Sequence, residues 1–365
     1  MKERGSSQQH RDPKFSMRIR LVNAALAAAV AFAVVSEAPA ARAGEAEAPA
    51  PAQAAADKCR GSDMLAETQA KNPDIYAKIM AQAAATDNAG ALLWKIERPG
   101  RAASYLFGTV HLTDERVTKL SPAVEEAIGR AKTIALEVSD VSEKATAAVI
   151  AQSAPLVMFT DGRRLDSLLS GTEYDTVKRI VSRSGMPADL AALFKPWIVT
   201  MILSVSDCER TSVQQGARVL DMKIAEMGKA RGIEVVGLET IPEQLQALAA
   251  VPEPQQLDML RASLRFADRT NDLMETLVQL YLNRRISAAL PFQIAMAKEV
   301  GIGDEAFAGF QEKLLTDRNA KMRTSAEPLL EQGGVFIAVG ALHLPGKQGL
   351  VSLLRDAGYT VTPIE

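Results

Sequence analysis

Short apolar runs bounded by glycine, proline or polar residues recur along the chain, as they do in proteins with buried β-strands. Two of them, 92–97 and 103–107, flank the turn dipeptide Pro99-Gly100 and predict a β-hairpin. Further strands are predicted at 133–138, 233–236, 335–339 and 359–363. Strands therefore frame both ends of the folded part of the chain.

The segments between these strands have the apolar spacing of amphipathic helices. Ser121-Pro122 predicts the start of one helix, because serine is a favoured N-cap and proline is favoured in the first turn. The stretches 142–231 and 242–323 are mostly helical by periodicity, with breaks at glycine and proline. Strands separated by helices favour parallel pairing. The sequence therefore predicts an α/β fold: a mostly parallel central sheet with an antiparallel hairpin edge and a large helical insertion.

Two of the three histidines stand in the same local context, just beyond a predicted strand. The segment GTVH ends at His111 and follows the hairpin, and the segment GALH ends at His343 and follows strand 335–339. The helical insertion separates these two GxxH motifs. A glycine at a strand exit permits a sharp turn or a close backbone approach, and open α/β sheets bind ligands at the carboxyl ends of their strands. Imidazole is a common metal ligand and titrates near neutral pH, so both histidines are candidate site residues.

Two glutamates occupy comparable positions. Glu137 lies within the apolar run IALEV, where a carboxylate is costly unless it is paired or bound to a metal. Glu239 comes just after strand 233–236. Parallel strands present their carboxyl ends at one edge, so these side chains and the two histidines could converge on a divalent metal. In the alternative interpretation, each histidine bonds a loop or caps a helix, and Glu137 pairs with an arginine.

The two motifs, GTVHL and GALHLPG, resemble those of the TraB/GumN family, which includes the Tiki proteins of animals. The resemblance runs from about residue 59 to the C-terminus and includes the segments LLWKI, KPW, GLET with Glu243-Gln244, DRN and GYTV. It implies two GxxH histidines and a glutamate at the site, and its Tiki members imply a metal-dependent protease. It also marks Arg318, in DRN, as a family residue that could pair with Glu137 or hold a substrate carboxylate or oxyanion.

The overall charge excludes one class of partner. The chain has 42 Lys and Arg residues against 44 Asp and Glu residues, for a formal net charge of −2. No basic field is available to attract a phosphate backbone, so nucleic acid is not a predicted partner.

The N-terminal region has the composition of a secretory signal. Lys14 and Arg20 precede an apolar stretch at 21–35, and Ala41-Arg42-Ala43 supplies the small residues that cleavage needs before Gly44. An uncleaved membrane anchor is the alternative, although this stretch is short for a span. The predicted organisation is a signal peptide at 1–43, an Ala/Pro-rich linker at 44–57 and one domain at 58–365. The mature protein is expected to be periplasmic or secreted, with no membrane span.

These observations favour an exported, peptidase-like, metal-dependent hydrolase acting on a peptide or small molecule. His111, His343 and a glutamate would hold a divalent metal, with Mn²⁺ or Co²⁺ expected in preference to Zn²⁺. Familiar zinc spacings such as H-E-x-x-H are absent. Either Glu137 or Glu239 would be the metal ligand and the other the general base. Peptide-bond hydrolysis is implied by the resemblance alone. The alternatives are a non-catalytic periplasmic protein that binds a small ligand or peptide, and a partner of an envelope assembly.

Cys59 and Cys208 are the only cysteines, and an even number in an exported chain predicts a disulfide between them. Closing a loop of about 150 residues would stabilise the fold by roughly 4–5 kcal/mol. The alternative is two unrelated thiols. We expect the intact mass of the exported protein to rise by two hydrogens on reduction. Alkylation of both cysteines in the unreduced, denatured protein would show that the bond does not form.

Overall fold

A six-stranded sheet organises the part of the chain that the computed structural model describes, which is residues 60–139, 149 and 152–365. Across the sheet the strands lie in the order β4-β3-β5-β2-β1-β6. The strands are β1 Leu93–Glu97, β2 Ser104–Thr109, β3 Thr133–Leu136, β4 Glu234–Gly237, β5 Val335–Gly340 and β6 Thr360–Pro363.

Strand direction divides the sheet into two parts. β2, β3, β4 and β5 are mutually parallel, whereas β1 is antiparallel to both of its neighbours, β2 and β6. The predicted α/β class, the mostly parallel sheet and the antiparallel hairpin are confirmed. The last strand, β6, pairs with the outer side of β1, so β6 forms the edge beside the hairpin.

Helices fill most of the remaining described sequence. They are α1 Met64–Lys71, α2 Pro73–Ala84, α3 Glu115–Thr118, α4 Pro122–Arg130, α5 Ala154–Val157, α6 Gly171–Arg183, α7 Pro196–Leu203, α8 Asp207–Gln214, α9 Leu220–Ala230, α10 Ile241–Ala249, α11 Glu253–Arg265, α12 Thr270–Leu282, α13 Ala289–Glu299, α14 Ala308–Phe310, α15 Asp317–Gln332 and α16 Leu350–Asp356. The predicted helix after Ser121 is present, with the Ser121 side chain accepting a hydrogen bond from the Val124 amide.

The sheet is covered on both faces. Phe336 and Ala338 belong to one hydrophobic cluster, here called the first sheet cluster, whereas Ile337 and Val339 belong to a second sheet cluster. Successive residues of a strand point to opposite faces of the sheet. Since all four side chains are buried, both faces are covered. Burial on both faces explains why strand 335–339 is continuously apolar in the sequence.

The helical insertion has a hydrophobic core of its own. This helical cluster runs from Val157 to Leu260 in sequence and includes the fully buried Phe194. The insertion is interrupted by β4, which returns the chain to the sheet beside β3. The predicted helical insertion between the two GxxH motifs is confirmed.

The helix that leads back to β5 begins irregularly. A π-helical turn over Gln311–Thr316 precedes α15 without a break. Such turns are rare and occur frequently at functional sites. This one brings Arg318 and Asn319 into the first turn of α15.

Some sequence predictions lie outside the described residues. These are the signal peptide at 1–43, the linker at 44–57 and the Cys59 end of the disulfide, which all stay predictions. Among the helices that are described, none has both the length and the apolar character needed to cross a membrane.

Close packing of α9 on β3 predicts the effect of a small substitution. A Cβ at Gly228 of α9 would lie 2.5 Å from Ile134 Cδ1 and 3.2 Å from Val235 Cγ2, and Ile134 is fully buried. We expect Gly228→Ala to lower the free energy of unfolding by ~1–3 kcal/mol, as overpacked cores do. The measurement is the midpoint of urea unfolding.

The matched control is Gly129→Ala in α4. A Cβ there would meet only Arg231 Nη1, at 3.5 Å. This variant should be neutral or more stable by up to ~1 kcal/mol, since alanine favours a helix over glycine. Equal effects of the two substitutions would contradict the packing argument.

Candidate functional site

The four strands that precede the predicted site residues have their carboxyl ends on the same side of the sheet, because β2, β3, β4 and β5 are parallel. This side is called the carboxyl edge. His111 follows β2, Glu137 follows β3, Glu239 follows β4, and His343 ends the 3₁₀ turn Ala341–His343 after β5. The ends of three strands differ from the predictions. Glu137 lies just beyond its strand, which ends at Leu136, and the two motif glycines are the closing part of β2 and β5.

Arg318 joins the two glutamates. Its Nη2 lies 2.6 Å from Glu137 Oε2 and 2.7 Å from Glu239 Oε2, and its Nε donates to both oxygens of Glu239 at 3.0 and 3.2 Å. The Glu239 side chain is 1% exposed, and the other two are 15% exposed or less. The arginine pairing that was the alternative interpretation of Glu137 is therefore present, within a buried cluster of three charges.

Glu137 has further polar partners. Its Oε1 accepts a 2.6 Å hydrogen bond from the Gly340 amide, and its Oε2 accepts one of 3.2 Å from Gln244 Nε2. Burial alone would raise the pKa of Glu137. The nearby His343, Arg318 and His111 and the Gly340 amide outweigh burial and hold this pKa well below its usual range. Glu137 is therefore a carboxylate throughout the neutral pH range.

His343 is buried and faces Glu137. Its Nε2 lies 3.6 Å from Glu137 Oε1, and its Nδ1 lies 2.7 Å from Asn319 Oδ1. Asn319 Nδ2 donates to Gln348 O, which assigns Oδ1 as the acceptor for His343 Nδ1–H. Nε2 then carries a lone pair on the Glu137 side. Burial lowers the pKa of His343 to about 4, so the ring is neutral at physiological pH.

His111 has a different environment. Its side chain is 54% exposed, and its Nδ1 lies 2.8 Å from Asp221 Oδ2. Thr109 Oγ1 donates to the other oxygen of Asp221 at 2.6 Å. The Asp221 carboxylate raises the pKa of His111 to about 9. In the metal-free protein the ring is therefore mostly protonated at neutral pH.

The motif glycines allow the two halves of the site to approach each other. A Cβ at Gly108 would lie 3.0 Å from Ala341 Cα and from Leu344 Cδ2. A Cβ at Gly340 would lie 3.1 Å from Glu137 Oε1. Neither glycine has a positive φ, so close approach explains them and a sharp turn does not.

Several residues of this edge were missed from the sequence. Gln244 and Asn319 lie in segments that take part in the family resemblance, so the resemblance could have indicated them. Nothing in the sequence around Asp221 indicates a functional role, because it lies in the first turn of an ordinary amphipathic helix, α9. Only the fold brings it to His111.

The chemistry of the donors suits a divalent metal ion. Each histidine has Nδ1 held by an acceptor, an arrangement typical of metal-bound imidazoles, which leaves Nε2 for the ion. The 3.6 Å between His343 Nε2 and Glu137 Oε1 is compatible with two ligands, each about 2.0–2.2 Å from one ion. Within the described residues, no three His, Cys, Asp or Glu side chains are already arranged as a metal site. The His343–Glu137 pair thus supplies two donors, and His111, which follows the neighbouring strand β2, is the candidate for a third.

Comparison with known proteins identifies one family that matches most of the chain. The TraB/PrgY/gumN family matches residues 92–363. The chain is 24% identical over 318 residues to "Metalloprotease TIKI2" of Danio rerio, covering 74% of this chain and 60% of that protein. It is 24% identical to "Metalloprotease TIKI1" of Homo sapiens, covering 74% and 61%. It is 21% identical to "Uncharacterized protein YbaP" of Escherichia coli K12, covering 71% and 90%. The chain thus spans about three fifths of the Tiki relatives, and no solved structure matches it.

The Asp221–His111 contact predicts a titration. In metal-free protein, His111 should titrate in NMR spectra with a pKa near 9, and Asp221→Asn should bring it back toward 6.5. Because the folded-state pKa is the higher one, the pair stabilises the fold fully below pH 6.5 and loses this contribution as pH rises through about 9. The loss of stability in the variant should therefore be larger at pH 6 than at pH 9.5.

Asp317→Asn is the control, since Asp317 contacts Lys313 and neither histidine. It should leave the titration of His111 unchanged. A wild-type His111 that titrates near pH 6.5 would contradict the ion pair.

Proposed function

The chain belongs to the TraB/PrgY/gumN family, and we propose that it is an exported, metal-dependent hydrolase with peptidase-like activity. The observation that carries the proposal is the buried contact of His343 and Arg318 with the same carboxylate, Glu137, at the carboxyl edge of the sheet. The names of the Tiki relatives support the hydrolytic reaction.

His343, His111 and Glu137 would hold the ion, with Mn²⁺ or Co²⁺ favoured over Zn²⁺. When bound, a divalent ion lowers the pKa of a water molecule and polarises a carbonyl group. The protein supplies a net negative charge that suits a cation, because two buried carboxylates share one guanidinium. Asn319 and Asp221 hold the Nδ1 side of the two rings, which leaves each Nε2 for the ion. The neutral His343 would offer a lone pair as it stands, whereas His111, with a pKa of about 9, would first give up the proton on its Nε2.

The contacts of the two glutamates suggest different roles. Glu137 reaches His343, so we assign it as the metal ligand. Glu239 makes three contacts of 3.2 Å or less with Arg318 and is almost fully buried, so taking up a proton would break a charge-assisted pair. We therefore assign Glu239 chiefly as the residue that positions Arg318. Arg318 would then stabilise negative charge on the substrate carbonyl oxygen or hold a substrate carboxylate.

Substitution of each histidine tests this proposal. His111→Ala and His343→Ala should each lower metal affinity by about 100-fold or more, since loss of a supporting partner alone costs roughly 10–100-fold. Hydrolysis of a peptide library should fall with it. The measurements are elemental analysis after exposure to Mn²⁺, Co²⁺ and Zn²⁺, and mass spectrometry of the library.

Three further variants sharpen the result. Glu137→Gln should lower metal content, whereas Glu239→Gln should keep the metal and lower the rate. Lys321→Ala is the control: this residue lies on the same helix as Arg318 but pairs with Glu243, so both metal content and rate should be unchanged. Wild-type metal content and rate in both histidine variants would overturn the proposal. Ligand binding without turnover would favour a periplasmic binding protein.

A further inference from the structure

We infer that an apolar cavity in the helical insertion binds a neutral, single-chain ligand of roughly a dozen carbon atoms that ends in a hydrogen-bond donor, such as a medium-chain alcohol. The cavity has a volume of about 340 Å³. This inference does not depend on the proposed hydrolase activity, because none of His111, Glu137, Glu239, Arg318 and His343 lines the cavity.

The cavity lies where three hydrophobic clusters meet. Trp197 and Leu203 come from the helical cluster, and Leu280 and Phe292 come from the first sheet cluster. The third wall comes from a small separate cluster, through its members Ala262, Ala297 and Phe307. The cavity is therefore the space between these three clusters.

The lining selects an uncharged ligand. Among the described residues that line the cavity, none is Lys, Arg, His, Asp or Glu. A charged head group would lose its hydration there without a partner. Four methionines lie in the walls, at positions 201, 259, 274 and 296, and methionine adapts its shape to flexible apolar ligands.

The volume sets the size of the ligand. A dry apolar cavity of about 150 Å³ holds one benzene molecule. A cavity of about 340 Å³ is roughly twice as large and therefore takes roughly a dozen carbon atoms. The exposed Ser204 and Gln293 also line it, so the cavity reaches the protein surface at these residues.

One buried polar group indicates the end of the ligand. Gln256 lines the cavity and is 5% exposed, and its Nε2 donates to Val251 O. Its Oε1 has no hydrogen-bond partner in the described part of the chain. A buried acceptor without a donor is unfavourable, so a ligand O–H or N–H that reaches Gln256 gains specificity. A carboxylate could not serve, because it only accepts.

Fluorescence quenching tests the inference directly. The chain has two tryptophans, and Trp197 lines the cavity whereas Trp94 packs in the second sheet cluster. In the full chain with Trp94→Phe, 10-bromo-1-decanol should quench Trp197 fluorescence saturably, and unlabelled 1-decanol should compete. We expect 1-decanol to bind at least about 5-fold tighter than decyl methyl ether, which cannot donate, and at least about 10-fold tighter than decanoate.

Substitutions at two glutamines identify the protein acceptor for the O–H group of the ligand. Gln256→Leu should reduce the preference for alcohol over ether to about one, with the affinity for the ether retained. Gln293→Leu makes the same change at the exposed rim and should keep the preference. Ala262→Phe should fill the cavity and weaken every ligand at least about 10-fold, with unchanged circular dichroism.

The affinities of 1-decanol, decyl methyl ether and decanoate for the chain with Trp94→Phe alone test the inference even if one of the cavity variants folds poorly. Absence of saturable quenching would overturn the inference and indicate that another part of the chain or a partner fills the cavity. Binding of decanoate as tightly as 1-decanol would overturn it as well. Loss of hydrolase activity in the histidine variants has no bearing on these measurements, so the two proposals fail separately.

Discussion

Two carboxylates can be buried at the edge of this sheet because one guanidinium is shared between them. Glu137 and Glu239 follow neighbouring parallel strands, and without Arg318 their charges would repel each other in a poorly hydrated space. Arg318 comes from the helix that leads into β5. The ion pairs therefore tie β3, β4 and α15 together at the point where the site lies. The Gly340 amide and Gln244 complete the arrangement by donating to the same carboxylates.

The same short motif produces two histidines with opposite properties. Burial keeps His343 uncharged beside its neutral partner Asn319, whereas the Asp221 carboxylate favours the protonated form of the more exposed His111. The difference does not lie in the motif itself. It arises from the helices that cover each strand end, α15 over β5 and α9 over β2. The repeated sequence context therefore places both histidines at the carboxyl ends of their strands, and the surrounding helices determine the protonation state of each ring.

The sheet and its strand exits could be predicted because they follow from local patterns. Continuous apolar runs such as 335–339 mark strands buried on both faces, and glycine marks their ends. The pairing of β6 with the outer side of β1 could not be predicted, since strand order depends on long-range contacts. Asp221 was missed for the same reason: a carboxylate at the start of a helix is ordinary, and only the packing of α9 brings it to His111. Of the two roles expected for the motif glycines, the structure supports close backbone approach, because a Cβ at Gly108 or Gly340 would crowd atoms 3.0–3.1 Å away, and neither glycine has a positive φ.

The position of β5 between β2 and β3 has a consequence for how the protein acquires its site. Glu137 and the Gly340 amide that holds it are 203 positions apart in the chain. Ribosomes make β2 and β3 first, so these strands must wait for the helical insertion and β5 before the site can assemble. A truncated or incompletely synthesised chain therefore contains Glu137 and His111 but not the buried cluster. The chemistry of this site therefore exists only in molecules in which β5 has been made and has entered the sheet between β2 and β3.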